Sequence, residues 1–185
     1  VAGPGGEPIN NLTVYCSADC GTIRPTTLTG DPSNPESTPG VAYAGYTSPA
    51  LREDRDATVT FTAGGMTTTV KIKLRGITLI STADPEFLPS DGQSKSLIKV
   101  LVKETTTHIP IIGEQVNFGA TDGTIGGKAT TDPNGVATAT FTAGYEAGDK
   151  EIYITYGKTL IDTVRVHISE VTARPSLTTK STSRW

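Results

Sequence analysis

The sequence has few of the side chains that build most active sites and metal centres. Its 185 residues include two cysteines, one methionine, one tryptophan and two histidines, and aromatic residues make up 6% of the chain. His108 and His167 lie far apart and lack the acid or thiol neighbours of a catalytic or metal site. Two cysteines are too few for a zinc cluster. The composition therefore predicts neither an enzyme nor a bound cofactor.

Long apolar runs, helical periodicity and a basic face are lacking as well. No segment approaches the roughly 18 apolar residues of a membrane-spanning helix, and no stretch has the i, i+3, i+4 spacing of an amphipathic helix. The net charge is −3, with Lys and Arg spread along the chain, which argues against a nucleic-acid partner. The start at Val1, without a signal-peptide pattern, fits a processed or excised product of an exported protein. We therefore expect an extracellular all-β protein without a membrane span.

Turn residues and alternating strands are abundant. The clearest example is Asp-Pro-Asn-Gly at 132–135, in which Pro presets a negative φ and Asn-Gly accepts the positive φ that follows. After this turn, Ala137, Ala139 and Phe141 fall on one face and the residues between them on the other. Period-two alternation predicts a strand with one buried face.

The chain contains an internal repeat. Three segments of the first half align in order with three of the second: 14–23 with 116–125, 40–47 with 135–142, and 70–74 with 164–168. A competing alignment of 57–64 with 137–144 is closer locally, but it needs a long gap and loses a strand. We therefore prefer the colinear alignment, which predicts two tandem copies of one fold.

The second copy begins with a segment that the first copy lacks. This segment is predicted to hold two strands, at about 77–80 and 93–103, separated by a turn region at 84–92. A sandwich without two strands exposes unpaired backbone beside an apolar groove, which another peptide should fill. The predicted organisation is an incomplete domain at 1–76, a complete domain at 77–170 and a tail at 171–185.

The second copy resembles the bacterial Ig-like domain of the invasin/intimin type. The resemblance is carried by Ser-Asp-Gly-Gln-Ser at 90–94, Gly-Glu-Gln-Val-Asn-Phe at 113–118, Gly-Thr-Ile at 123–125 and Thr-Asp-Pro-Asn-Gly-Val-Ala at 131–137. The first copy resembles the same domain without its opening strands. The resemblance implies two tandem Ig-like antiparallel β-sandwiches, of a kind that forms rigid stalks or adhesive tips on cell surfaces and has no shared catalytic residues.

These observations predict a structural function outside the cell. In the first hypothesis, the chain is the subunit of a surface filament, a pilus-like fibre or stalk. Each subunit would complete the first domain of its neighbour by strand addition, giving a head-to-tail homopolymer. The predicted donor strand is the tail, through Val171, Ala173, Leu177 and Trp185.

Two alternatives remain open. The chain could be the stalk or tip of an adhesin that binds a host receptor or glycan, with the loop at 24–39 as its contact. It could also be a fragment of a longer Ig-like array, in which its partners are neighbouring Ig-like domains.

Three minor sites are predicted with alternatives. Cys16 and Cys20 favour a disulfide if residues 17–19 bend, since a straight strand would hold the two Cα atoms too far apart; the alternative is a buried free thiol at Cys16. Asn11 begins an Asn-Leu-Thr glycosylation triplet, which chance also explains. Calcium is a secondary possibility, with oxygen ligands from acidic residues near the junction of the copies: Asp54, Asp56, Asp84, Glu86 and Asp91.

Overall fold

The computed structural model describes residues 1–171 as β-strands joined by turns and loops. Within this part of the chain, no helix has the length and apolarity to cross a membrane. The strands form two tandem Ig-like sandwiches, called here the first unit (1–76) and the second unit (77–171). The first unit contains β1 (Thr13–Ala18), β2 (Thr22–Ile23), β3 (Thr26–Leu28), β4 (Tyr46–Thr47), β5 (Arg55–Ala63) and β6 (Met66–Leu74).

The second unit contains nine strands. They are β7 (Ile77–Asp84), β8 (Phe87–Pro89), β9 (Lys95–Glu104), β10 (Gln115–Ala120), β11 (Thr124–Ile125), β12 (Lys128–Thr130), β13 (Val136–Thr142), β14 (Gly148–Tyr156) and β15 (Leu160–Ser169). One sheet has the order β12-β10-β14-β15-β8 and the other β11-β13-β9-β7. All pairs are antiparallel except β8 with β15. The predicted Ig-like sandwich is therefore confirmed, with one short parallel pair.

The two sheets of the second unit enclose a continuous apolar core. The predicted alternation in β13 is confirmed, because Ala137, Ala139 and Phe141 are the buried residues of that strand. The central strand β9 buries Ile98, Val100 and Val102 completely. The core is thus built from inward-facing residues of both layers, as period-two patterning requires.

The first unit has one nearly complete layer, which lacks a counterpart of β8, and a reduced second one. Its four-stranded sheet has the order β3-β1-β5-β6. The only strands of the described chain opposite this sheet are β2 and β4, which form a ribbon of two residue pairs. The apolar inner face of the sheet is therefore covered only in part: Val14, Cys16, Ala57, Val59 and Leu74 are buried, whereas Met66 and Val70 are exposed.

Strand register supports the colinear alignment of the two units. Ile23 pairs with Tyr46 in the first unit, and the aligned Ile125 pairs with Phe141 in the second. Strand β5 pairs with β1 and β6, as β14 pairs with β10 and β15. The competing alignment of 57–64 with 137–144 is wrong, because it would equate β5 with β13, a strand of the opposite sheet.

The opening segment of the second unit holds three strands rather than the two predicted from the sequence. The region at 84–92, predicted as a turn, contains β8, which crosses to the other sheet and pairs with the end of β15. Short strands bounded by proline have little periodicity, so the sequence pattern did not reveal β8. The segment without a counterpart in the first unit therefore contributes to both sheets.

Candidate functional site

The most unusual feature of the molecule is the open sheet edge of the first unit near Val1. The second unit shows the same position with a neighbouring strand in place. There, the Val102 amide donates to the Gly135 carbonyl at 2.8 Å, where β9 meets the start of β13. The Ile111 amide in turn donates to the Val102 carbonyl at 3.0 Å. Gly135 has a φ of +75°, and a Cβ there would lie 2.6 Å from the Val102 oxygen. Glycine is therefore required where the two strands approach closely.

Val1 occupies the same position in the first unit. Its amino group donates to the Gly40 carbonyl, and its carbonyl accepts from the Ile9 amide at 3.1 Å. Gly40 has a φ of +73°, and a Cβ there would lie 2.8 Å from the Val1 oxygen. Val1 is thus the counterpart of Val102, the last fully buried residue of the central strand β9.

A buried threonine fixes the neighbouring loop in both units. The Thr29 hydroxyl accepts from the Leu12 amide at 3.0 Å and donates to the Ile9 carbonyl at 2.6 Å. In the second unit, the aligned Thr131 hydroxyl accepts from the Glu114 amide at 3.0 Å. Both threonines are buried. The bonds to the Leu12 and Glu114 amides are equivalent, and the bond to the Ile9 carbonyl further anchors the loop next to Val1 in the first unit.

The stretch beside Val1 contains much less strand than its counterpart in the second unit. In the second unit, all of Val136–Thr142 is strand, pairing with β9 on one side and β11 on the other. The aligned residues 41–47 form a strand only at Tyr46–Thr47, which pairs with β2. No strand of residues 1–171 pairs with the other side of 41–47. Its backbone groups on that side face an open edge.

The inner face of the first sheet is open next to this edge. A cleft of about 280 Å³ runs along it, with a mainly apolar lining. On strand β6, Met66 is 79% exposed, whereas the aligned Leu160 of β15 is 4% exposed. The residues that line the cleft are Val1, Ala2, Val14, Phe61, Ala63, Met66, Thr67 and Thr68. An apolar groove beside an unpaired backbone edge is a typical site for strand addition.

The second notable region is the junction between the units. The Asp54 carboxylate accepts from the Gly76 amide at 2.8 Å and from the Arg75 guanidinium at 2.9 Å. The Gly76 amide, and secondarily Arg75, lower the pKa of Asp54 from its ordinary value. A Cβ on Gly76 would lie 2.6 Å from the Cα of Glu53, so only glycine fits there. Asp54, named above as a possible calcium ligand, binds the segment that links the units.

The loop before β5 contacts both layers of the second unit. Leu51 accepts from the Ile77 amide at 2.5 Å, at the start of β7. Arg52 accepts from the Thr105 hydroxyl at 2.9 Å, just after β9, and its guanidinium donates to the Ile161 carbonyl of β15 at 2.5 Å. Ala50 accepts from the Thr159 hydroxyl at 2.8 Å. One short loop thus anchors the first unit to both sheets of the second.

The segment at 24–39, predicted as a loop, contains β3 near its start, and together with Val41 and Tyr43 it lines a polar pocket of about 300 Å³. The Asp31 carboxylate accepts from the Ser33 hydroxyl at 2.6 Å and from the Ser33 amide at 2.9 Å. These bonds, the hydroxyl first, lower the pKa of Asp31. The Tyr43 hydroxyl lies 3.2 Å from that of Thr38. Asp31 and Thr38 thus make hydrogen bonds to nearby residues of the same unit.

The predicted disulfide is corrected by the structure. Cys16 and Cys20 are free thiols, Cys16 buried and Cys20 half-buried. Strand β1 continues to Ala18 without the bend that a disulfide needs, and Cys16 points to the inner face of the sheet. Burial raises the pKa of the Cys16 thiol. Of the two interpretations of the sequence, the buried free thiol matches the structure.

With this geometry in hand, comparison with known proteins identifies the family. The family model for domain 3 of invasin matches residues 77–171. The chain belongs to the invasin domain 3 family. This match extends over the complete second unit, the one in which all the strands of the sandwich are found.

Similar solved structures include several members of the invasin/intimin group. Invasin, a bacterial integrin-binding protein, is 21% identical, with a TM-score of 0.44 over 92% of this chain and 34% of its own. The D0–D1 domains of intimin are 17% identical, with a TM-score of 0.40 over 90% and 87%. Adhesin InvE of Yersinia pseudotuberculosis is 16% identical, with a TM-score of 0.44 over 90% and 51%. The chain spans about a third of the invasin structure, and a comparison with curated proteins finds no match.

The other residues predicted from the sequence do not form a common site. Asn11 is exposed and has a φ of +59°, at the position of Gly113. His108 is exposed. On the outer side of β15, the His167 Nδ1 atom lies 2.7 Å from the Asp149 Oδ1 atom. No group of three or more metal-binding side chains occurs within residues 1–171. Of the predicted donor residues, Val171 is exposed, and its amide donates to Ser90 at 3.2 Å; Ala173, Leu177 and Trp185 lie outside the described residues.

Proposed function

We propose that this chain is a stalk segment of a bacterial surface adhesin, located outside the cell. Its role is mechanical: tandem Ig-like units hold a more distant binding unit away from the surface. Membership in the invasin domain 3 family supports this role. The observation that carries it is the hydrogen-bonded junction, because a stalk needs units that keep their relative orientation. No catalysis is assigned to the chain.

The junction resists bending in more than one direction. Bending the first unit away from the β7–β9 sheet would break the bonds of Leu51 and Arg52 to that sheet. Bending it away from the opposite sheet would break the bonds to Thr159 and Ile161. Relative motion is the default for linked domains unless their interface is large and hydrophobic, so the stiffness proposed here depends on these hydrogen bonds. Several bonds from one loop to two sheets therefore support a stiff connection.

Small-angle X-ray scattering tests this proposal. The wild-type profile should fit a single relative orientation of the two units. A variant with Gly-Ser-Gly-Ser inserted after Arg75 should require a broad distribution of orientations, and Arg52→Ala should have an intermediate effect. Arg24→Ala, which removes the same charge from the distant loop, is the matched control. A wild-type profile as broad as that of the insertion variant would rule out a stiff stalk.

The open edge of the first unit favours a second candidate, a filament assembled by strand complementation between copies. The sequence of the tail supports it: Val171, Ala173 and Leu177 have the spacing of Ile77, Leu79 and Ala83, the buried residues of β7. In the second unit, however, β7 pairs only with β9. A tail of this pattern therefore needs a β9-like strand already in place.

Electron microscopy and sedimentation test the filament. If it forms through the tail, the full chain should make concentration-dependent fibres, and removal of 172–185 should abolish them. A chain that is monomeric at high concentration with and without 172–185 would contradict the filament and leave the stalk as the function.

A further inference from the structure

We propose that the open edge at residues 41–47 is a binding position for one β-strand, supplied by the polypeptide that leads into the nitrogen of Val1. This strand would run antiparallel to 41–47 and take the place that β9 has in the second unit. The inference deepens the proposed stalk, on which it rests, because it identifies the strand that pairs with 41–47 in the first of its units.

The hydrogen bonds at Val1 indicate the direction of the occupant. The Val1 nitrogen donates to Gly40 as the Val102 amide donates to Gly135. In the second unit, the chain that enters Val102 through this nitrogen is β9, and it pairs with β13 over seven residues. A peptide joined to the Val1 nitrogen would therefore be directed along 41–47 without any rearrangement of the loop at 1–12.

The register of β9 against β13 predicts the register of the occupant. Val136 pairs with Leu101 and Thr142 with Lys95. Because Val41 aligns with Val136 and Val1 with Val102, the residue immediately before Val1 should pair with Val41. The pairing should then continue outward to Thr47, over the length of β13.

The burial pattern of β9 predicts the chemistry of the occupant. Ser96, Ile98, Val100 and Val102 are buried, and the residues between them are half-buried or exposed. The second and fourth residues before Val1 should therefore be branched and apolar, and the sixth small. Their side chains would face the apolar inner side of the first sheet, where Val14 and Phe61 line the cleft.

The tail of a second copy fits this position less well. Its apolar residues Val171, Ala173 and Leu177 follow the spacing of β7, an edge strand that does not pair with β13 in the second unit. The tail also contains Pro175, which a central strand does not accommodate because it lacks an amide proton. A strand entering through Val1 meets both requirements of the site, its path and its register.

The test adds the chain's own opening segment to the first unit. A copy of residues 77–101 is fused directly before Val1, so that the copied Leu101 is joined to it. Hydrogen exchange of the 41–47 amides, measured by mass spectrometry, should slow on the order of a hundredfold, which corresponds to roughly 2.7 kcal/mol. In the unextended chain, these amides should exchange much faster than those of 136–142.

The matched control inserts one glycine between the copied Leu101 and Val1. A one-residue shift turns the apolar side chains of the added strand outward. We therefore expect little protection of 41–47 from this variant, although its length and composition are almost unchanged. Equal protection by both fusions, or by neither, would overturn the proposal.

Two further measurements separate the sources of the strand. Removal of 172–185 from the unextended chain should leave exchange at 41–47 unchanged; faster exchange would assign the position to the tail and overturn our choice. Sedimentation of the same samples shows whether a second copy is bound. Scattering from the unextended chain tests the stiff stalk independently, so failure of the strand proposal and failure of the stalk give different results.

Discussion

The two units share strand register and turn hydrogen bonds, yet they bury very different amounts of apolar surface. Of the buried apolar residues, eighteen lie in the second unit and five in the first. The first sheet has the same strand order, with β1, β5 and β6 matching β10, β14 and β15. Turn residues and backbone pairing are therefore sufficient to set the register of a sheet, whereas a core requires the opposing layer.

Aligned positions in the two units differ in the size and burial of their side chains, in line with the reduced second layer of the first unit. Phe118, part of the core in the second unit, is replaced by the smaller Cys16 in the first. Ile154 is fully buried, but the aligned Phe61 is half-buried in the open cleft. The first unit thus has the inward-facing pattern of a sandwich, and its apolar residues remain accessible to a further strand.

The largest expected contrast comes from truncating this pair of aligned residues. Ile154→Ala should destabilise the second unit by about 2–5 kcal/mol, because it leaves a cavity between two packed sheets. Phe61→Ala removes a larger side chain but should cost less than about 2 kcal/mol, since its site is already open to solvent. Hydrogen exchange of β14 and β5 measures the two effects separately. A greater loss for Phe61→Ala would mean that the first unit has a closed core.

A second comparison concerns the buried threonines, for which we expect similar effects in the two units. Thr29→Val leaves the Leu12 amide and the Ile9 carbonyl without their partner, at a cost of about 1–3 kcal/mol. Thr131→Val loses the bond to Glu114 and should fall in the lower part of that range. Chemical denaturation of each variant measures the change. A negligible effect of Thr29→Val would show that the loop does not need this bond to hold Val1.

The fold was largely predictable from the sequence, and the reasons are local. Period-two alternation and turn residues at 131–141 predicted β13 and its buried face, and the repeat predicted that the first unit lacks an opening segment. Strand β8 was missed because three residues carry too little periodicity. The disulfide was wrong because the spacing of Cys16 and Cys20 does not reveal where β1 ends.

The junction could not be predicted in the same way. Asp54 and Gly76 are 22 positions apart, and nothing in their neighbourhoods indicates that a carboxylate will bind the linking amide. In the sequence, Gly76 is a single glycine at the join of the two copies; in the structure its amide is bonded to Asp54, and a Cβ there would meet the Glu53 backbone. Contacts between side chains and distant backbone depend on the assembled sheets, and a single sequence contains no periodic signal for them.

A smaller effect is expected at Gly76. In Gly76→Ala, the added Cβ would lie 2.6 Å from the Glu53 backbone, so the loop before β5 must shift. Overpacking of this kind costs about 1–3 kcal/mol, and here it should act mainly on the orientation of the units. Gly45→Ala is the control, because nothing lies within 4 Å of a Cβ at that position. X-ray scattering should change for Gly76→Ala alone; identical profiles would show that the linking segment can move without cost.

The smallest expected effect is the pH dependence of the junction. The Gly76 amide and Arg75 lower the pKa of Asp54, so the carboxylate stabilises the junction above the ordinary aspartate pKa of about 3.9. This contribution is lost as pH falls through the lowered pKa of the folded state. Exchange of the Gly76 amide should therefore rise in acid, once corrected for its intrinsic pH dependence. In Asp54→Asn, the exchange rate of the Gly76 amide should already be raised at neutral pH and should show no further step in acid. Asp56→Asn, which removes the same charge two residues away, should match the wild type. An acid step that persists in Asp54→Asn would assign the pH dependence to another carboxylate, and the second unit supplies candidates: Asp91, Asp122, Asp132 and Glu151, whose pKa values are also lowered.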